Sequence, residues 1–262
     1  AWHAIMELII GEGLHSAPWA DPVPGAHTAR AAAYIMHAQI EPGSQCPTTM
    51  TYGSVPALSR DPDAAGTWLP KILSRAYDRR DIPVAQKTGA LIGMGMTEKQ
   101  GGSDVRANTT VAERVGAGGP GGEYRITGHK WFFSCPQIDA HLVLAQAPEG
   151  LSCFIVPRWL PDGTKNAVRI QRLKDKVGNK SNASSEVEFH GAHGWLLGEE
   201  GRGIPTILEM GTYTRLDCAL GSAGLLRGAV AHAVHHAFHR RAFQRHLVDQ
   251  PLMAKVAADL AV

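Results

Sequence analysis

The sequence has no run of the roughly 18 to 20 unbroken apolar residues that a membrane-spanning helix requires. It also lacks the basic start and small-residue cleavage site of a signal peptide, opening instead on Ala1-Trp2-His3-Ala4-Ile5-Met6-Glu7-Leu8. Cysteine is scarce. The four present, Cys46, Cys135, Cys153 and Cys218, show no CxxC pairing. Scattered cysteines in a chain this long read as small buried residues of a reducing compartment, so a disulfide framework is not expected and a cytoplasmic location is. An excess of charge is lacking too. The formal net charge is +2, whereas a duplex binder neutralises on the order of six to ten phosphates, so bulk charge makes no case for nucleic acid. There is no GxxxxGK[ST] phosphate loop and no GxSxG elbow. Gly93-x-Gly95 runs on to Glu98 where a dinucleotide fingerprint needs its third glycine. Internal repeats and low-complexity tracts are absent.

What is present is enough apolar material for a sizeable core: 262 residues, 44% of them hydrophobic, a length that suggests more than one domain. Up to about residue 90 the spacing is helical. Met6, Ile9 and Ile10 share one face, and Ala33, Met36, His37 and Ile40 share another, with Pro42-Gly43 available to end that helix. Asp61-Pro62-Asp63 is a helix start before Trp68, Leu69, Ile72 and Leu73, and Pro70 within the pattern predicts a kink or a later start.

At Ala90 the period changes to strand spacing, with Ile92, Met94 and Met96 alternating with glycines. Short runs follow at 109–114, 124–127, 131–134, 141–145, 153–157, 168–172 and 186–189, with a glycine-rich hairpin loop at 116–122. Many short strands separated by turns predict a small antiparallel barrel or sandwich. Helical spacing returns near Ile204, where Ile207, Met210, Leu216, Leu220 and Leu225 form an apolar side and the pattern continues towards His246. Pro251 opens a further helix that reaches Val262 without a cap, which reads as truncation. The expected class is therefore α+β. Its parts are a helical domain over 1–89, incomplete at its start, a central antiparallel β-barrel domain over 90–198, and the beginning of a C-terminal helical bundle over 199–262.

The chemistry concentrates in Gly93-Met94-Gly95-Met96-Thr97-Glu98-Lys99-Gln100-Gly101-Gly102-Ser103-Asp104. A strand delivers the hydroxyl of Thr97, and a glycine pair then presents Ser103. Glycines let backbone amides approach an anion with no Cβ in the way, so hydroxyls and free N–H groups together suit a flat polar ring with an attached phosphate. On glycine content alone an ordinary strand-to-loop turn is the commoner explanation. Lys99 reads as a solvated loop charge, and Asp104 as an acceptor of backbone donors that holds the glycine turn.

The segment from Met96 to Asp104 resembles the TEPxAGSD flavin motif of the acyl-CoA dehydrogenases. Gly128-His129-Lys130-Trp131-Phe132-Phe133-Ser134 resembles their G-x-K-x-W-I-T, and Leu197-Gly198-Glu199-Glu200-Gly201-Arg202-Gly203 their LGEEGKG. Three motifs in the family's order carry far more than any one. MTEKQGGSD with WFFS and RLDCALGS is similar to the AidB (alkylation-response) branch, and the likeness covers nearly the whole chain. The resemblance implies FAD, with Met94, Met96, Thr97, Gly102, Ser103, Phe132, Phe133 and Ser134 around it. Thr97 would donate to the pyrimidine side, Ser103 would contact the pyrophosphate, Ser134 would lie at the N5 edge, and Phe132 would stand for the family's tryptophan. His239 to Gln244 resembles R-x-x-F-G, which makes Arg240 the candidate for the pyrophosphate of a neighbouring subunit, with Gln244 in place of a glycine.

The same resemblance implies an acyl-CoA thioester substrate, a homotetramer and no membrane contact. For this branch it also implies an alternative, a DNA-associated flavoprotein of the alkylation-damage response that contacts duplex DNA through a C-terminal region largely beyond this chain. The dehydrogenation needs a carboxylate base. Most of the family carries it beyond Val262, and the earlier-helix position falls at Thr214, so no catalytic base is assigned; Glu209 and Asp217 are nearby but off position. His232, His235, His236 and His239 share helical spacing without a completing carboxylate or cysteine, and no metal is expected.

Overall fold

A computed structural model describes residues 1–261. Five helices come first: α1 (Trp2–Gly11), α2 (Ala17–Ala20), α3 (Ala26–Ala38), α4 (Gln45–Leu58) and α5 (Pro62–Ile72). In α1 the expected face is the buried one, with Met6, Ile9 and Ile10 each at 1% exposure or less. The α5 start also follows the sequence. Asp61 Oδ1 accepts from Asp63 N at 3.1 Å and Ala64 N at 2.9 Å, satisfying two of the orphan donors of the first turn. Pro70 lies near the end of α5, which continues to Ile72.

The reading of α3 needs correction. It ends at Ala38 rather than at Pro42-Gly43, and Met36 and Ile40 are exposed; the buried positions are Arg30, Tyr34, His37 and Ala38. The cause is a buried ion pair. Arg30 makes a two-pronged contact with Asp217, Nη1–Oδ1 at 2.7 Å and Nη2–Oδ2 at 2.6 Å, while its Nε donates to Leu14 O at 2.6 Å. The guanidinium lies 3.5 Å from the centroid of the Tyr52 ring. A fully satisfied arginine thus turns α3 to a face that a hydrophobicity pattern does not reveal.

Seven strands follow: β1 (Ile92–Gly95), β2 (Val111–Arg114), β3 (Glu123–Ser134), β4 (Ala140–Ala147), β5 (Gly150–Pro157), β6 (Val168–Leu173) and β7 (Ser184–Leu196). The pairings β4–β2, β2–β3, β3–β7, β7–β5 and β5–β4 close a ring, with β1 added beside β4 and β6 beside β7. The barrel is mainly antiparallel. The exceptions are β1 along β4 and the single Val111–Gln146 contact of β2 with β4, both parallel.

β4 shows why the runs are so apolar. Val143 and Ala145 point into the barrel, Leu142 and Leu144 point to the helices, and all four are fully buried. A strand covered on both faces loses its alternation. In β1 the alternate glycines have a packing reason: a Cβ on Gly93 would meet the His141 ring at 2.3 Å, and one on Gly95 would meet the Phe133 ring at 2.8 Å.

The runs at 124–127 and 131–134 are one strand. β3 passes through Gly128, and its register against β7 shifts between Lys130 and Phe133, where three steps on β3 oppose two on β7. That bulge lets Lys130 and Phe133 both face inward, at 0% and 2% exposure, and turns Phe132 out at 52%.

The chain then enters α6 (Gly203–His239), a two-residue hairpin pairing Arg241–Ala242 with Arg245–His246, and α7 (Pro251–Ala261). The helical pattern therefore stops at His239. Ile207 and Met210 are buried as expected, whereas Leu216 and Leu225 are exposed. The contact face is instead made by Gly221, Gly224 and Asp217. A Cβ on Gly224 would stand 2.5 Å from Ile35 O, so α3 and α6 cross too closely for a larger residue. No described helix is long and apolar enough to cross a membrane.

Candidate functional site

The segment between β1 and β2 is held from below by a buried ion pair. Glu98 and Lys130, both 0% exposed, meet at 2.7 Å inside the barrel. Glu98 Oε2 also accepts from Thr109 N at 2.7 Å and Thr109 Oγ1 at 2.9 Å, and Oε1 accepts from Thr110 N at 3.1 Å. Burial alone would raise this carboxyl. The Lys130 ammonium and the Thr110 and Thr109 donors outweigh it and bring it down to about 2. Glu98 is thus an ionised peg rather than a solvated loop charge. The sequence held a signal for it, since glutamate follows Thr97 directly and Lys130 sits in the second motif, but nothing in the spacing showed that the two meet.

Above this peg the hydroxyl-bearing end of β1 is joined to β3, with Trp131 N donating to Thr97 O at 2.8 Å. A Cβ on Gly102 would stand 2.9 Å from Thr97 Oγ1, so glycine at 102 keeps that hydroxyl accessible. Ser103 is exposed beside it. Asp104 accepts from Arg106 N at 3.2 Å, so it caps the short turn at 105–107 and does not hold the glycine turn before it. Lys99 is exposed, and its backbone N–H donates to His129 Nε2 at 3.1 Å.

Phe132 presents its ring to solvent next to Trp131. Lys174 Nζ lies 4.1 Å from the Trp131 centroid and 4.5 Å from that of Phe132, while pairing with Glu186 at 2.8 Å. Ser134 ends β3 opposite Ser184. Its carbonyl accepts from the buried His141 Nε2 at 2.9 Å, which fixes the proton on that nitrogen, and the imidazole stacks on Phe133 with centroids 3.7 Å apart. Burial pushes His141 down to about 4 despite that carbonyl, so it stays neutral and keeps the end of β3 in place.

The structure brings Gly102 against Thr97 and joins Thr97 to Trp131, the neighbour of Phe132, while Ser103 lies in the exposed loop after Gly102 and Ser134 ends β3 on the His141 side, next to Gly93. The remaining residues lie differently. Met94 and Met96 are half-buried against the helices, and Phe133 faces the barrel core. Arg240 is exposed at the far end of α6, beyond Gly224, which meets α3, and Gly228, which meets Gln39 just past it. The hairpin that follows it holds Phe243 at φ 52 and Gln244 at φ 65, both left-handed.

The carboxylates near the Thr214 position are each ion-paired, although the buried Oε2 of Glu209 has no partner among the described residues. Thr214 Oγ1 donates to Gly211 O at 3.1 Å, Glu209 pairs with Arg60, and Asp217 is taken by Arg30. The third motif is structural. Glu200 accepts from the Tyr124 hydroxyl at 2.6 Å, from Arg114 and from Glu149 N, stitching the barrel to the entry of α6.

Three family models match in succession along the chain. They are the adaptive response protein AidB N-terminal domain over residues 1–79, the acyl-CoA dehydrogenase middle domain over 93–192, and the acyl-CoA dehydrogenase C-terminal domain over 201–262. AidB of Escherichia coli (strain K12) is 54% identical across 100% of this chain and 48% of its own length. Acyl-CoA dehydrogenase family member 11 of Caenorhabditis elegans is 30% identical across 100% of this chain and 43% of its own. The chain thus spans about half the length of these curated relatives. Among solved structures, Caenorhabditis elegans ACDH-11 in complex with C11-CoA superposes with a TM-score of 0.86 at 26% identity, over 99% of this chain and 45% of that one. Butyryl-CoA dehydrogenase from Megasphaera elsdenii, at 19% identity over 98% of this chain and 66% of its own, shares the fold with a TM-score of 0.83. With its three segments matched in order by models of one architecture, the chain belongs to the acyl-CoA dehydrogenase family, with an N-terminal domain of the AidB type.

Proposed function

We propose that this chain is the FAD-holding part of an acyl-CoA dehydrogenase-type oxidoreductase that oxidises the α–β CH–CH bond of an acyl-CoA thioester. The observation that carries the reading is the accessible Thr97 hydroxyl beside side-chain-free Gly102, joined through the Thr97–Trp131 bond to the exposed Phe132 ring. FAD, when bound, supplies the hydride acceptor at N5. The chain's own part is to bind, orient and exclude water. Thr97 donates a hydrogen bond towards the pyrimidine edge, where a bond to a charged acceptor contributes about 1.5 to 3 kcal/mol. Ser134, held by His141, offers its hydroxyl at the N5 edge, and Ser103 offers one to the diphosphate. Phe132 forms an apolar wall without an indole donor.

Met94 and Met96 back the same strand, Phe133 supports it from the barrel, and Arg240 reaches a second copy's diphosphate in a family-type oligomer. Residues 1–89, 90–198 and 199–262 act as the three domains of that assembly. Ion-paired Glu209 and Asp217 leave proton removal to a group outside this segment. A cytoplasmic location accords with this chemistry.

The test is optical. Purified intact protein should be yellow, and an acyl-CoA should bleach the visible flavin band anaerobically. Ser134→Ala should loosen flavin or shift its potential, whereas unchanged absorbance, affinity and potential would remove Ser134 from the site. The AidB likeness favours a second reading, a flavoprotein of the alkylation-damage response acting on duplex DNA with little turnover. Salt-sensitive duplex binding without bleaching by any thioester would select it.

A further inference from the structure

A cavity of about 430 Å³ opens between α5, the 83–85 segment and the β5–β7 edge of the barrel. It is separate from the cluster around Thr97. The register of β3 on β7 places Ser134 beside Ser184 at one end and Glu123 beside Trp195 at the other. Trp195 lines the cavity, and at about 3.3 Å per residue the two ends lie on the order of 30 Å apart along the strand.

The walls are aromatic and apolar, dominated by Trp68, Trp159 and Trp195 with several prolines, and the only charged lining residues are Asp61 and Asp63. Trp159 is fixed by its indole, which donates to Asp81 Oδ1 at 2.6 Å. Asp61 is only 7% exposed, and its Oδ1 is used by the α5 cap. Its Oδ2 takes no hydrogen bond or ion pair among the described residues, and neither does that of Asp63. Both Oδ2 atoms converge on Gly121, lying 3.8 and 3.6 Å from the point where a Cβ would be. Two carboxylate oxygens, one of buried Asp61 and one of exposed Asp63, meet at one place and form a negative mouth on an indole-lined chamber; Lys165 Nζ stands 5.0 Å from the Trp159 ring centroid but pairs with Asp81, which leaves Trp68 and Trp195 as the indoles free of a cation. No group of three or more His, Cys, Asp or Glu that could hold a metal ion occurs among the described residues. Indole faces with a nearby anion are the pairing that holds quaternary ammonium groups, and the volume suits a small organic molecule.

We propose that this cavity binds an organic cation, an ammonium head on an apolar body, with the head at Asp61 and Asp63 and the body against the tryptophans. The test uses the intact protein and benzyltrimethylammonium, followed by isothermal titration. Asparagine at 61 still caps α5, so the Asp61→Asn, Asp63→Asn pair removes charge without removing the helix start. The expected result is saturable binding that weakens at least tenfold in the double variant, and likewise in Trp195→Leu, with the melting temperature of the double variant unchanged. No binding at 10 mM on the order-of-magnitude scale of weak sites, undiminished binding by the double variant, or equal binding of benzyl alcohol would each overturn the proposal.

Discussion

Two of the buried ion pairs among the described residues, Glu98–Lys130 and Arg30–Asp217, act at different ranges. Glu98 and Lys130 are separated by 32 positions and fasten a loop to the barrel that it leaves. Arg30 and Asp217 are separated by 187 positions and fasten α3 to α6, bridging the two helical regions on either side of the barrel in sequence. One member of each pair has further bonds, Arg30 to the Leu14 carbonyl and Glu98 to the Thr109 and Thr110 donors, which helps to make a buried charge tolerable. The difference lies in what each one positions. The first sets the segment that carries Thr97, Gly102 and Ser103, so its loss reaches the proposed cofactor site. The second sets the crossing of helices, so its loss reaches only stability.

Removing the long-range pair is the severest way to break that comparison. Asp217→Ala leaves Arg30 charged and buried, and should cost about 3–5 kcal/mol in denaturant unfolding. Flavin content per folded protomer should be unchanged. Glu98→Gln should cost about 3 kcal/mol, since the amide oxygen keeps some of the threonine donors. Unlike the first variant, it should also change flavin affinity or absorbance. Equal optical behaviour of the two variants would erase the distinction.

Acid sharpens the comparison at a smaller scale. Burial, helped by the Arg30 and Arg75 charges and opposed by the Ser74 carbonyl, brings His15 in the helical layer down to about 4, the value His141 has in the barrel. The unfolded chain binds these protons below about 6.5. Stability is therefore complete above that pH and declines as pH falls towards 4, with Glu98 adding a further loss between about 4.5 and 2. His15→Gln should flatten the pH profile of the helical region, and His141→Gln that of the barrel, as read by amide exchange at pH 4.5 against 7.

The smallest effect belongs to the hairpin after α6. Gln244→Gly relieves a left-handed side chain at φ 65 and should raise hairpin protection by about 1 kcal/mol.

Much of the fold was legible because its signals are local. The α5 start shows in Asp61-Pro62, the β1 strand in the alternation from Ile92 to Met96, and the return of helix in Ile207 and Met210. The errors share one cause. The faces proposed for α3 and α6 were chosen by size and apolarity. The contact actually uses Arg30, Asp217, Gly221 and Gly224, where close approach and a paired charge outrank greasy surface. The strand running from Glu123 to Ser134 reads as two runs because Gly128 and Lys130 interrupt the apolar pattern, with the Glu98 partner of Lys130 and the Thr110 neighbour of Gly128 both out of view.

The sequence by itself determined the order of helices, barrel and helices, and the residue types at the end of β1, because period and motif reside in neighbouring positions. Tertiary structure alone decided that Glu98 is a buried peg, that a bulge turns Phe132 outward and Phe133 inward, and that Asp61 and Asp63 share one mouth. Each of those outcomes depends on which distant group arrives to satisfy a charge or fill a space, and a linear pattern carries no record of that arrival.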